Sequence, residues 1–280
     1  MQGKYKFEMA GKKKKRKKVR FKNWKATLYI ILFLLFAFYC RNEIYRFSYR
    51  AFRWYRHWQH HPENRAGVIY YPAGYSVHGI DVSKWQDEID WSKLKSRTTN
   101  DDTLQFQFAY IKATEGVLME DPLFEDNWKK AKQNNIIRGA YHYFLPRNNP
   151  KMQARNFIRN VTLKKGDLPP VVDVEETGRM KKKEIVKQLR IYIKELELHY
   201  RIKPVIYSNI NFIENYLADD FGNYQFWVAH YYRDELIVDE NIKWLFWQHS
   251  DKARLFGCDY KVDANVFNGS KSDLQRILIK

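Results

Sequence analysis

The 280-residue sequence has few of the residues that build disulfide, zinc or nucleotide-binding sites. Its two cysteines, Cys40 and Cys258, are too few for a disulfide framework or a cysteine-rich zinc site. No Gly-x-Gly-x-x-Gly or Gly-x-x-x-x-Gly-Lys-Ser/Thr segment occurs, so the glycine-rich loops that bind nucleotide phosphates are missing. No Gly-x-Ser-x-Gly segment occurs either, which argues against a serine hydrolase with a nucleophile elbow.

The eight histidines also lack the spacing of metal ligands. Three of them cluster in a basic stretch, and the other five are scattered: His57, His60 and His61, then His78, His142, His199, His230 and His249. We therefore predict no metal site and no cofactor.

The formal net charge of +18 is unevenly distributed. Residues 1–65 carry 18 Lys and Arg against three Glu, whereas residues 66–280 carry 32 basic against 29 acidic residues. Because the basicity belongs to an N-terminal appendage, we predict that nucleic acid is not a partner. A nucleic-acid or nuclear-targeting role for the lysine run at residues 12–20 is the alternative.

Residues 26–40 form an unbroken apolar stretch between Lys25 and Arg41. As a helix it would span roughly 23 Å, and Lys25 and Arg41 could extend to the lipid interface. We predict a basic cytoplasmic tail at 1–25 and a transmembrane signal anchor at 26–40, with membrane lipid as a partner and the remaining chain outside the cytoplasm. A cleaved signal peptide is disfavoured because residues 37–39 lack small residues at the required positions. A buried core helix is the other alternative.

Residues 41–75 are predicted to form a juxtamembrane amphipathic linker. Basic and apolar residues recur there at helical spacing: Arg46, Arg50, Arg53 and His57 on one side, and Ile44, Phe47, Ala51, Trp54 and Trp58 on the other. Such a helix could lie along anionic lipid head groups or act as a rigid spacer, and the sequence does not separate the two.

From residue 76 onward, strand and helix patterns alternate, and we predict one domain over 76–280. Eight candidate strands lie at 77–82, 106–113, 137–144, 170–174, 204–208, 226–229, 244–248 and 261–266. Helical patterns lie at 121–134, 150–161 and 181–200, and helices are weak after the sixth strand. This order predicts an α/β fold, a modified and mainly parallel (β/α) barrel of eight strands with a reduced set of helices. An open doubly wound sheet is the alternative.

Asp173 and Glu175 are the strongest candidates for catalysis. Residues two apart on a strand point to the same face, so both carboxylates should project together. Each then raises the pKa of the other, which is how a carboxylic acid stays protonated near neutral pH and serves as a general acid. Solvated acids also occur at strand ends, so the pair alone is weak evidence.

Other polar and aromatic residues stand where the remaining predicted strands end. They are Asp81, Glu115, Tyr141, Tyr143, Tyr207, Trp227, Gln248 and Asp263. In a barrel these ends form one mouth, where active sites are found. Acidic groups together with Tyr and Trp suit sugar rings, since the rings stack on aromatics while carboxylates act on the glycosidic oxygen.

Several of these segments occur in an order typical of one family. They are Gly-Ile-Asp-Val-Ser-Lys-Trp-Gln at 79–86, Lys-Ala-Thr-Glu-Gly at 112–116, Gly-Ala-Tyr-His-Tyr-Phe at 139–144, Asp-Val-Glu at 173–175, Tyr-Ser-Asn at 207–209, Trp-Gln at 247–248 and Asp-Ala-Asn-Val-Phe at 263–267. Residues 78–268 resemble the glycoside hydrolase family 25 lysozymes, the N-acetylmuramidases of Chalaropsis type. The resemblance implies a modified barrel and cleavage of the β-1,4 bond between N-acetylmuramic acid and N-acetylglucosamine in peptidoglycan.

The resemblance also implies roles for individual residues. Glu175 matches the general acid, and Asp173 matches the carboxylate that orients or stabilises the N-acetyl group. Asp81 and Asp263 match two supporting acids, and Tyr141 and Tyr207 match tyrosines that contact the sugar. The predicted substrate-binding set is completed by Tyr143, Trp227, Gln248 and Glu115. Peptidoglycan glycan strands are the predicted partner.

Two other classes of protein stay open. One is a membrane-tethered, non-catalytic glycan-binding module on the same fold, although binding alone would not need Asp173 beside Glu175. The other is a membrane-tethered scaffold protein without affinity for sugars.

Overall fold

The computed structural model describes residues 24–41, 48, 68–69, 71–98 and 103–280. The chain divides into two compact units, Met1–Ile44 and Tyr45–Lys280. In the first unit the described element is helix α1 (Trp24–Tyr39). The second unit contains the predicted barrel.

The second unit contains twelve strands over its described residues. They are β1 (Val68–Ile69), β2 (His78–Val82), β3 (Lys95–Thr98), β4 (Thr103–Gln105), β5 (Phe108–Glu115), β6 (Met119–Glu120), β7 (Ile137–Tyr143), β8 (Val171–Asp173), β9 (Val205–Asn209), β10 (Phe226–Ala229), β11 (Trp244–Ala253) and β12 (Val262–Phe267). The α-helices are α2 (Phe124–Gln133), α3 (Pro150–Asn160), α4 (Lys182–Tyr200), α5 (Ile210–Phe212), α6 (Ala218–Phe221) and α7 (Lys271–Ile277), and a π-helical turn, Ile213–Leu217, joins α5 to α6. Two 3₁₀ helices, Lys84–Gln86 and Trp91–Lys93, follow β2.

Eight strands close into a barrel in the order β2-β12-β11-β10-β9-β8-β7-β5 and back to β2. Neighbouring strands pair in parallel along the series β2, β5, β7, β8, β9, β10 and β11. The eighth strand, β12, is antiparallel to both of its neighbours, β11 and β2. The short β6 extends the sheet beside β5, and β1, β3 and β4 form a separate sheet. The carboxyl ends of seven barrel strands and the amino end of β12 therefore meet at one mouth.

The prediction of an eight-stranded barrel with few helices is confirmed. Each predicted strand overlaps a barrel strand, and the three helical patterns correspond to α2, α3 and α4. The chain between β10 and β12 is described throughout, and it contains no α-helix. One detail was wrong: Asp263 was placed at the end of the eighth strand, but it lies near the start of β12, and only the reversed direction of β12 brings it to the mouth.

The core has two layers because side chains alternate along each strand. On β5, Phe108 and Tyr110 point into the barrel, while Ala109 and Ile111 pack against the surrounding helices. Tyr110 passes close to Gly139 on β7, where an added Cβ would lie 2.2 Å from the Tyr110 ring. The barrel interior is thus filled by aromatic rings, with glycine leaving room on a neighbouring strand.

The predicted transmembrane helix at 26–40 is not supported. Helix α1 covers 16 residues, Trp24–Tyr39, and is apolar. A helix of that length spans about 24 Å, short of the ~30 Å hydrocarbon core of a bilayer. Over the described part of the chain, no helix is both long and apolar enough to cross a membrane. Residues 1–23 of the predicted basic tail and most of the 41–75 linker, namely 42–47, 49–67 and 70, lie outside the described residues.

Candidate active site

A small cavity opens at the mouth of the barrel and measures about 70 Å³. Eight of the ten predicted site residues line it: Asp81, Tyr141, Asp173, Glu175, Tyr207, Trp227, Gln248 and Asp263. They come from seven different strands or strand ends. Closure of the barrel is therefore what brings residues that are distant in sequence to one place.

Asp173 and Glu175 stand side by side where β8 ends. Asp173 is 5% exposed, and its Oδ1 has no hydrogen-bond partner, whereas Glu175 is exposed at the rim. Val174 between them is held from β9, because its N–H donates to the Tyr207 carbonyl and its carbonyl accepts the Ser208 hydroxyl. The backbone that presents the two carboxyl groups is therefore fixed.

Burial and mutual repulsion govern the protonation of this pair. Burial, followed by the charge of Glu175, raises the pKa of Asp173 well above its ordinary value. Burial also raises the pKa of Glu175, while a hydrogen bond from Asp173 acts in the opposite direction. Both pKa shifts disfavour the doubly ionised pair, so it keeps a proton at pH values where ordinary carboxylates are ionised.

Asp81 and Asp263 form a second pair on adjacent antiparallel strands, directly opposite each other. Burial raises the pKa of Asp81 to about 7, and hydrogen bonds from Asn265, Gln248 and Asp263 limit that rise. Burial, followed by the charge of Asp81, raises the pKa of Asp263 to about 9. Asp263 has the higher pKa, so it is the member of the pair that keeps the proton.

Gln248 joins the acids to the tyrosines. Its Nε2 donates to Asp81 Oδ2 at 2.8 Å, and its Oε1 accepts the hydroxyls of Tyr207 and Tyr231, both at 2.7 Å. Asn265 Nδ2 donates to the same Asp81 Oδ2 at 2.7 Å. Asp81 is thus held by two amide donors from β11 and β12.

Trp227 forms part of the floor of the cavity. It is 2% exposed, and its Nε1 donates to Asn265 Oδ1 at 2.8 Å. Its ring contacts Tyr207 edge to face at 4.7 Å between centroids and stacks on Tyr110 at 4.9 Å. Only a small part of the ring is open to a ligand, and Tyr141 closes the neighbouring wall.

Tyr143 and Glu115 do not line the cavity. Lys112 on β5 occupies the space between them: its Nζ lies 2.7 Å from Glu115 Oε2 and 4.9 Å from the centroid of the Tyr143 ring. The charge of Lys112 also lowers the pKa values of Asp173 and Glu175. The structure therefore places Tyr143 and Glu115 beside a lysine whose charge acts on Asp173 and Glu175.

Sequence reasoning assigned no role to Asn265, Tyr231 or Lys112. Asn265 lies two residues after Asp263 on one strand, so the alternation of side chains could have identified it. Tyr231 lies in the loop after β10, and no periodic pattern marks it. Among the described residues, no group of three or more His, Cys, Asp and Glu side chains is arranged to hold a metal ion.

Comparison with known proteins gives the site its context. The profile described as "Glycosyl hydrolases family 25" matches residues 80–258. "Lysozyme M1" of Streptomyces globisporus is 35% identical over 71% of this chain and 70% of its own length. "Uncharacterized protein YegX" of Escherichia coli O157:H7 is 45% identical over 74% of this chain and 75% of its own length.

Among solved structures, a bacterial lysozyme from Streptomyces coelicolor superposes with a TM-score of 0.66 and 30% identity, covering 73% of this chain and 98% of that one. The residues that the profile matches include Asp81, Asp173 and Glu175 of the barrel mouth. The chain therefore belongs to glycosyl hydrolases family 25.

Proposed function

We propose that the barrel hydrolyses peptidoglycan at the β-1,4 bond between N-acetylmuramic acid and N-acetylglucosamine. The observation that carries this proposal is the pair Asp173 and Glu175, which keeps a proton at the mouth of a family 25 barrel. Cleavage of a glycosidic bond needs a proton donor and a carboxylate beside the sugar. The mouth supplies both.

In the proposed reaction Glu175 is the proton donor. It is exposed at the rim, so it can reach the glycosidic oxygen, whereas Asp173 is buried below it. Both pKa values are raised, so the pair keeps a proton, and the proposed reaction places that proton on Glu175, the member that is exposed to the substrate. As the bond to the leaving sugar breaks, that proton moves to the leaving oxygen, and the oxygen of a solvent water completes the hydrolysis by bonding to the anomeric carbon, while the proton which that water loses restores the acid.

Asp173 is proposed to orient and stabilise the N-acetyl group of the substrate. Its Oδ1 is buried and has no partner in the protein, so an amide N–H of the substrate would satisfy it. Positive charge that develops at the sugar is stabilised by the negative charge of Asp81, which two amides and Asp263 hold in place.

The rival function is a glycan-binding module without catalysis. Four acids at one mouth are costly to the fold, because desolvation raises the pKa values of all four above their ordinary values. A binding module could replace them with amides and keep its hydrogen bonds. The retained acids therefore favour catalysis over binding alone.

Analysis of products from purified peptidoglycan tests the proposal. The full-length protein should release fragments whose new reducing ends are N-acetylmuramic acid, as seen by borohydride reduction followed by mass spectrometry. New reducing ends at N-acetylglucosamine would assign a different bond. Binding to the glycan without any released fragment would establish the non-catalytic module instead.

We also propose that the barrel acts outside the cytoplasm. The proposed substrate, the peptidoglycan of the cell wall, supports this location. Protease added to intact spheroplasts should digest the barrel. Complete protection of the barrel until the cells are lysed would contradict this location.

A further inference from the structure

The hydrogen bonds around Asp81 fix the orientation of two neighbouring side-chain amides. The indole N–H of Trp227 can only donate, so the atom of Asn265 that faces it at 2.8 Å is the carbonyl oxygen Oδ1. The Asn265 Nδ2 group therefore points to Asp81 Oδ2, 2.7 Å away. With one amide donor already bound, Asp81 Oδ2 is an acceptor.

Gln248 is oriented by the same reasoning. Its Oε1 accepts two tyrosine hydroxyls at 2.7 Å each, and its Nε2 lies 2.8 Å from Asp81 Oδ2. A flipped amide would bring Oε1 against the acceptor Asp81 Oδ2, with no hydrogen between the two oxygens. Gln248 is 2% exposed, so water cannot relieve such a contact.

From this geometry we propose that Gln248 is a positioning residue, which holds Asp81 as the charged member of the Asp81–Asp263 pair during the proposed glycan cleavage. The inference rests on the proposed function only for its catalytic consequence. Two amide donors on one oxygen of Asp81 stabilise its carboxylate, and Asp263, which has no such donors, keeps the proton. Gln248 was predicted to bind substrate, so this is a different role for the same residue.

Other charged and titratable groups also face Asp81. Asp263 on β12 and Glu175 beyond β8 act directly on its pKa. Asp173 on β8 is affected by the charge of Asp81, as are the hydroxyls of Tyr141, Tyr207 and Tyr231, whose pKa values burial raises first of all. Lys112 acts on Asp173 and Glu175. The groups that lower the pKa of Asp81 itself are Asn265 and Gln248, followed by Asp263, so the two amides provide the main stabilisation of a charged Asp81.

Two substitutions separate the proposed role from substrate binding. Gln248→Met keeps the length of the side chain but removes the donor to Asp81, together with the acceptor for the two tyrosine hydroxyls. Gln248→Glu keeps the shape and the acceptor for both tyrosines, but places a carboxyl oxygen where the donor was. Gln225→Met is the matched control, because Gln225 is exposed and precedes β10 at the opposite end of the strand from the mouth.

Carboxyl ¹³C NMR titration of the full-length protein measures the effect without any need for activity. The Asp81 signal is assigned by its loss in Asp81→Asn. Gln248→Met should raise the titration midpoint of Asp81 by about one pH unit or more, since a hydrogen bond to a charged group is lost. Gln248→Glu should raise it further once its new carboxyl group is ionised, and Gln225→Met should leave it unchanged. An unchanged midpoint in a folded Gln248→Met variant would overturn the proposal.

Kinetics on peptidoglycan provide the second readout. Both Gln248 variants should move the acidic limb of the kcat/KM profile to higher pH and leave KM near the wild-type value. A raised KM with an unmoved limb would show that Gln248 binds substrate and would contradict the proposal. If the wild-type protein does not cleave peptidoglycan at all, the proposed function fails, while the NMR titration still decides the role of Gln248.

Discussion

Asp173 combines deep burial, a raised pKa and a carboxyl oxygen without a partner. The proposed mechanism uses all three features, because the residue has to face the N-acetyl group and share a proton with Glu175. A buried acid of this kind can stabilise charge in the transition state, but it lowers the stability of the folded protein.

We predict that Asp173→Asn lowers kcat on peptidoglycan by at least about 10²-fold, since the amide cannot share a proton with Glu175 or carry negative charge. The variant should remain folded, because the amide is similar in size and easier to bury. Circular dichroism and turnover measured on the same preparation check both statements. A folded variant with wild-type turnover would remove Asp173 from the mechanism.

Asp263 illustrates the cost of such acids for stability. Its pKa rises from about 3.8 to about 9 on folding, so the native state binds a proton that the unfolded state releases above pH 4. Stability that depends on this group is therefore present at low pH and is lost as the pH rises from about 4 towards 9.

Asp263→Asn should accordingly stabilise the protein at pH 7, by roughly 2–4 kcal/mol, and the gain should vanish below about pH 4. Thermal unfolding at pH 7 and pH 3.5 measures the difference. Asp234→Asn, at an exposed position, is the control and should change stability by less than about 0.5 kcal/mol at either pH. A loss of stability in Asp263→Asn at pH 7 would show that burial does not raise the pKa of this acid.

At the scale of elements, the barrel depends on glycine beside large aromatic rings. Gly139→Ala would place a Cβ 2.2 Å from the Tyr110 ring and 2.9 Å from Leu168. We predict a loss of roughly 1–3 kcal/mol of unfolding free energy, measured by urea denaturation. Gly222→Ala is the control, because its φ of −59° is ordinary and its Cβ would lie 3.5 Å from the nearest atom. Equal stability of both variants would contradict this account of the packing.

The periodic elements could be predicted from the sequence because their patterns are local. The stripe of apolar residues in α4 and the buried runs of β5 and β7 follow directly from 3.6-residue and two-residue periods. The direction of β12 could not be read in this way, since parallel and antiparallel strands share one alternation of side chains. Tyr231 could not be predicted either, because it lies in a loop without a periodic pattern and only the folded loop brings its hydroxyl to Gln248.

At the scale of the whole molecule, the barrel strands all lie between His78 and Phe267. The charge of residues 66–280 is nearly balanced, with 32 basic and 29 acidic residues. We therefore predict that a chain beginning at Ala66 folds and stays in solution without residues 1–65. Its melting temperature should match that of the barrel transition in the full-length protein. Expression only as aggregate, while the full-length chain folds, would contradict this prediction.

Initial rates of glycan cleavage by the wild-type, Glu175→Gln and Glu176→Gln proteins test the central claim most directly. Glu175 and Glu176 are adjacent and both exposed, but only Glu175 lines the cavity. Glu175→Gln should reduce turnover on peptidoglycan by about 10²–10⁴-fold while glycan binding persists, because general acid catalysis is lost. Glu176→Gln should retain a rate close to that of the wild type. A folded Glu175→Gln protein that cleaves the glycan as fast as the Glu176→Gln protein would show that Glu175 is not the proton donor.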